Sequence, residues 1–195
     1  MNSEAQPQIT AQLTPNPNTI RFAVDREFFK QGSCNFPDRG KAYDSPLACV
    51  LFEIPSVEGV MLGPDFVSVT KSQNADWQAL LPPVIERLKA FLSSGEPAIA
   101  DSLIPSAEEH KQDTVAGDAQ HDIEMKIREI LDQEIRPAVA RDGGDIVFYG
   151  FQDGVVQLHL QGACSSCPSS IMTLKLGIEN RLKQSIPEVR EVLQV

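Results

Sequence analysis

The chain has 195 residues, 42% of them hydrophobic and 23% charged, with a formal net charge of −10. That apolar content suits one large or two small globular domains and excludes a disordered or fibrous chain, while the acidic balance without any basic run argues against nucleic acid as a partner. No stretch nears the ~20 consecutive apolar residues of a transmembrane helix, and the opening "MNSEAQPQIT" has neither a secretory nor a transit-peptide pattern. A reducing, cytosol-like compartment without membrane association is therefore expected.

In chain order, "NTIRFAVD" alternates apolar and polar residues as a strand does, and Ser45 before Pro46 reads as the cap and first position of a short helix, "PLACVLFEI". "VEGVMLGPDFVSVTK" reads as two strands around the turn Gly63-Pro64-Asp65. Trp77, Leu81, Val84, Leu88 and Phe91/Leu92 then follow at helical spacing, with Pro82-Pro83 expected to break off the first turn. Trp77 reads as a core residue. The result is a small α+β domain over residues 1–94 with no catalytic cluster.

Residues 95–120 carry one Lys against six Asp/Glu, half of the net charge, among Gly, Pro, Ser and Ala, and read as a flexible acidic linker. His110 and His121, in or beside it, are expected to be solvated. Residues 121–195 form a second α+β domain. Ile123, Ile127, Ile130/Leu131 and Ile135 make an apolar helix stripe that Pro137 should kink or end, and "RDGGD" is a breaker loop. Two strands follow around Asp153-Gly154, a strong hairpin signal. In the second, Val156, Leu158 and Leu160 alternate with Gln157, His159 and Gln161, so His159 reads as a residue of the wet face. A helix through Ile171, Leu174, Ile178 and Leu182 and a strand in "PEVREVLQV" complete the order α-β-β-α-β.

Cys164 and Cys167, in "GACSSCPSS", stand where the second strand ends and the last helix begins. A helix N-terminus favours negative charge, and the small neighbours leave sulfur reachable, so exposed, thiolate-prone cysteines are expected. From spacing alone, thiol–disulfide exchange, half a zinc site, an iron–sulfur site and no function all stay open. Cys49, within "LACVLF", reads as a buried hydrophobe and Cys34 as a loop residue. Two thiolates become four if a two-fold dimer brings the same pair together twice, and both [2Fe–2S] and [4Fe–4S] clusters accept four cysteines.

The C-terminal half, "IRPAVARDGGDIVFYGFQDGVVQLHLQGACSSCPSSIMTLKLGIENRLKQSIPEVREV", resembles the NifU C-terminal domain of Nfu-type iron–sulfur proteins. The first half resembles the Nfu N-terminal domain through "TPNPNTIRF", "SPLACVLFEI" and "VEGVMLGPDFVSVTK". The resemblance implies a scaffold or carrier, not an enzyme. Cys164 and Cys167 would bind a cluster, [4Fe–4S] with [2Fe–2S] as the alternative, in a homodimer bridged by it. The carrier would receive clusters from upstream donors and pass them to apo-proteins such as lipoyl synthase or aconitase-like enzymes. The rival reading is a thiol–disulfide oxidoreductase using Cys164 to attack and Cys167 to resolve; a zinc-bridged dimer is a third. The expected setting is the bacterial cytoplasm, with a processed mitochondrial form as the alternative.

Overall fold

A computed structural model describes residues 7–103, 118–165 and 168–195, and the chain divides into two compact units, Met1–Ser106 and Ala107–Val195. The fold is α+β in both, as the sequence indicates. Among the described residues no helix is long and apolar enough to cross a membrane.

The first unit is built on strands β1 (Ile9–Leu13), β2 (Thr19–Val24), β3 (Cys34–Phe36), β4 (Val57–Leu62) and β5 (Phe66–Lys71), with helices α1 (Pro46–Phe52) and α2 (Trp77–Ser94). The strand order is β1-β2-β5-β4-β3, antiparallel at each step. Register aligns Ile20 and Val60 with Val69, and Phe22 and Leu62 with Val67, so one sheet face becomes continuous and apolar. Leu47 and Leu51 of α1 and Leu80, Val84 and Leu88 of α2 share that core. Ser45 caps α1, accepting from Ala48 N–H at 3.1 Å. The helix α2 runs unbroken through Pro82 and Pro83, contrary to the expected interruption. Asp76 caps its start, accepting from Gln78 N–H at 3.0 Å, and the buried Leu80 holds the first turn on the core. Trp77 is half-buried and donates its indole N–H to Pro17 C=O at 3.0 Å.

The linker expectation of 95–120 needs correction at both ends. Residues 96–103 belong to the first unit: Ala98 and Ile99 are buried in its core. Ser45 Oγ donates to Ala98 C=O at 2.7 Å, and Ala100 N–H donates to Asp44 C=O at 2.8 Å. The cause is that "PAIA" supplies apolar side chains and backbone groups that α1 leaves unmatched. At the other end a helix begins at Asp118. The stretch 104–117, with His110, lies outside the described residues.

The second unit opens with α3 (Asp118–Ile130), passes through a wider π turn at Leu131–Ile135 and continues as α4 (Arg136–Arg141). Pro137 therefore does not end the helical run. The π turn places it in the first turn of α4, where its missing N–H is not needed. Then come β6 (Gly144–Gln152), β7 (Val155–Gly162), α5 (Pro168–Ser185) and β8 (Glu191–Gln194). The strands β6 and β7 pair antiparallel around the turn Asp153-Gly154, where φ is 52° and 84°, the left-handed pair that a tight hairpin needs. The strand β8 pairs parallel to β7, with Val156 opposite Val192. Ile146, Val156, Leu158 and Leu160 of the sheet meet Ile127, Leu131, Ile178 and Leu182 of the helices in the second core.

Candidate functional site

Alternation along β7 turns Val156, Leu158 and Leu160 inward and ends at Gly162, whose φ of 63° bends the chain toward α5. Ala163 N–H donates to Gly143 C=O at 3.1 Å, and Ser165 closes a turn onto Gly162 C=O through its own N–H at 3.2 Å and Oγ at 2.9 Å. Gly143 leaves α4 at φ 76°, with its N–H on Ala140 C=O at 3.1 Å. The ends of α4 and β7 are thereby tied together, and Cys164 is pressed against the start of β6. A Cβ on Gly144 would lie 2.6 Å from Cys164 Sγ and 2.9 Å from Gln161 C=O, closer than atoms approach. The sulfur thus occupies the space that a side chain at position 144 would fill.

Cys164 is only 6% exposed and belongs to the second core. Burial pushes its thiol up to about 12, and the carboxylates of Asp142 and Asp145 add to the shift. This corrects the expectation of an exposed, thiolate-prone Cys164. The desolvation of a buried sulfur between two carboxylates outweighs any favour from the following helix start. Asp145 is itself constrained: its Oδ1 accepts from Ile146 N–H at 2.7 Å and lies 3.8 Å from Arg136 Nε, which also faces Asp132 at 3.3 Å. Cys167 lies outside the described residues. The helix α5 begins at the very next position, Pro168.

The remaining candidates are placed elsewhere. Cys34 and Cys49 belong to the first unit, packed against its core and donating to Leu103 C=O and Ala42 C=O, each at 3.1 Å. Cys34 sits in the edge strand β3 rather than in a loop. His121 is exposed on α3, and His159 holds Nδ1 2.5 Å from Val195 C=O with its ring edge-on to Tyr149. Among the described residues, no three His, Cys, Asp or Glu side chains are grouped as a metal ion would require. The residues that sequence reasoning missed are Gly144, whose absent side chain leaves the sulfur its space, and Asp142 and Asp145, whose charges act on it. Their signal was the glycine pair flanked by aspartates in "RDGGD", read only as a loop.

Two family models match this chain: the scaffold protein Nfu/NifU N-terminal model over residues 9–95 and the NifU-like domain over 127–193. A human protein named NFU1 iron-sulfur cluster scaffold homolog, mitochondrial, is 44% identical over 189 residues, covering 96% of this chain and 71% of its own length. The protein of that name from Drosophila erecta is 44% identical over 188 residues, covering 96% of this chain but 64% of its own length. A solution structure of a NifU-like protein from Saccharomyces cerevisiae is 30% identical, covers 52% of this chain and 91% of that one, and has a TM-score of 0.44. The curated relatives are named as mitochondrial, which overturns the expectation of a bacterial cytoplasmic protein.

Proposed function

The chain belongs to the Nfu family of iron–sulfur cluster scaffold proteins, and on that premise we propose that it carries a cluster between two subunits on Cys164 and Cys167 and passes it to apo-proteins without being an enzyme. The observation that carries this reading is the position of Cys164, at the junction of β7 and α5 inside the stretch matched by the NifU-like domain. The cluster is cargo. A [4Fe–4S] core takes four cysteine sulfurs and each chain supplies two, so a two-fold pair of chains completes the set; a [2Fe–2S] core fits the same four.

The buried thiol weighs between cluster carriage and disulfide exchange. An attacking sulfur must be ionised before it reacts, and a thiol held protonated up to about 12 is a poor nucleophile at neutral pH. Metal coordination removes the proton outright, so a covered thiol can still become a ligand once it swings out from Gly144. The clients that suit such a carrier are apo-enzymes with their own cysteine ligands, lipoyl synthase and aconitase-like proteins among them, and its clusters come from upstream donors.

Anaerobic reconstitution with iron and sulfide tests the assignment. Cys164→Ala and Cys167→Ser should each lose the visible cluster absorption and the ability to activate an apo-aconitase, while keeping their far-UV circular dichroism. A Cys164→Ala chain that retains as much iron and sulfide as the native one would refute the site. Brisk reduction of insulin disulfides by a native chain that binds no iron would favour exchange instead.

A further inference from the structure

The first unit holds a cation for which its own fold supplies no counter-charge. Lys71 ends β5 on the side of the sheet that carries Val67 and Val69 into the first core, two positions further along the same face. It is only 7% exposed. Its ammonium donates to Asn18 Oδ1 at 3.0 Å and to Ser72 C=O at 3.2 Å, both neutral oxygens, which leaves the third of its N–H donors unused. A lysine this deeply buried is almost always paired with an acid, because the charge loses its hydration. The chain has 27 Asp and Glu, and among the described residues none forms an ion pair with Lys71.

The surroundings are irregular too. Opposite Lys71 stands Val57, where β4 slips register before Gly59, and Ser72 N–H donates at 2.8 Å to the carbonyl of Ser56, a non-glycine residue at φ 73°. Bulges and left-handed non-glycine residues gather beside functional sites. Apolar surface borders the same corner. Leu13, 88% exposed, lies in one row with Ile20 and Val69 on the core side of the sheet. Trp77 reaches in from the start of α2, with its indole N–H on Pro17 C=O, next to the asparagine that Lys71 holds.

We propose that Lys71 receives the carboxylate of an acidic residue in an extended segment of a partner protein, with Leu13 and Trp77 taking an apolar side chain beside it. Charge complementarity selects this occupant. A single carboxylate brings the one counter-charge that the corner lacks and accepts from the unused donor. A polyanion such as nucleic acid needs several cations, and the net charge of −10 repels it. A small free carboxylate would satisfy Lys71 but leave Leu13 in water. The inference concerns the first unit alone, so it does not depend on the cluster reading.

Trp77 is the chain's only tryptophan, so its fluorescence reports on this corner in the full chain. The probes are a capped Leu-Glu-Leu peptide, its Leu-Gln-Leu counterpart and acetate. The glutamate peptide should bind ~10-fold or more tightly than the glutamine peptide, and added salt should narrow the difference. Lys71→Met should bind both peptides alike, and its unfolding midpoint without peptide should not fall, since an apolar side chain replaces an unpaired buried charge. Leu13→Ser, at a position too exposed to matter for folding, should weaken the glutamate peptide several-fold and leave acetate unaffected. A native chain that binds the two peptides equally, or neither, would overturn the proposal, and a fall in the Lys71→Met midpoint would then mark Lys71 as a brace for the turn at Asn18. Acetate that binds as tightly as the glutamate peptide would assign the site to a small carboxylate and overturn the partner segment.

Discussion

The sulfur of Cys164 and the missing side chain of Gly144 occupy one space, and two consequences follow at the residue scale. Gly144→Ala forces its Cβ within 2.6 Å of Sγ and should destabilise the second unit by ~1–3 kcal/mol, read by chemical denaturation, because backbone and sulfur must both shift. The buried thiol also makes stability depend on pH. Its value in the folded chain stands above its ordinary 9.0, so its contribution is whole below pH 9 and is lost as pH rises through about 12, where the unfolded chain alone releases the proton readily. Native protein should therefore lose stability over that window more steeply than Cys164→Ala does, and a parallel loss would contradict the burial. For the same reason iodoacetamide at neutral pH should label Cys164 at least ~10-fold more slowly in the folded chain than in urea, as peptide mass mapping can show. The spacing of this cysteine to Cys167 singles it out for attention, and its role as a ligand comes only from the family resemblance. Its burial was not legible, because the space it fills is left by a glycine 20 positions earlier that alternation does not distinguish from any loop glycine.

Among the elements, those with strong periodic patterns were legible and those defined by their neighbours were not. The strands β2, β4, β5, β6 and β7 and the helices α1, α2 and α5 all announce themselves through alternation, caps or helical spacing. The strand β1 does not, since it is an edge whose Leu13 faces solvent, and β3 has only three residues, recognisable from its pairing of Phe36 with Val60. The two prolines of α2 and the π turn before Pro137 show the same limit: a local rule signals a break, and core packing decides whether it occurs. The segment 96–103 is the clearest case, since its charge suggests a tether while Ala98 and Ile99 fill the first core. Ile99→Ala should cost ~2–4 kcal/mol if this packing is right, whereas a tether residue would cost nothing measurable. Ser45→Ala should cost ~1–2 kcal/mol in the same unfolding experiment, because Ser45 Oγ both caps α1 and donates to Ala98 C=O.

The whole molecule is two α+β units with separate cores, and the proposed cysteine ligands belong to the second. The division was legible because an acidic, weakly apolar stretch lies between two periodic ones, though the stretch named was too long. The cellular setting was not legible, and the named relatives correct it. The proposed completion of the site by a second chain would be a property of the assembly, which a single sequence signals only as a shortage of ligands. A site divided in this way links cluster binding to dimerisation, so both should depend on protein concentration. The most direct measurement is the solution mass of the anaerobically reconstituted full chain together with its iron and sulfide content. The expected result is a brown dimer with about one cluster per two chains, falling to monomer when the iron is chelated. A stable monomer carrying a complete cluster, or a dimer whose iron survives the loss of Cys164 and Cys167, would contradict it.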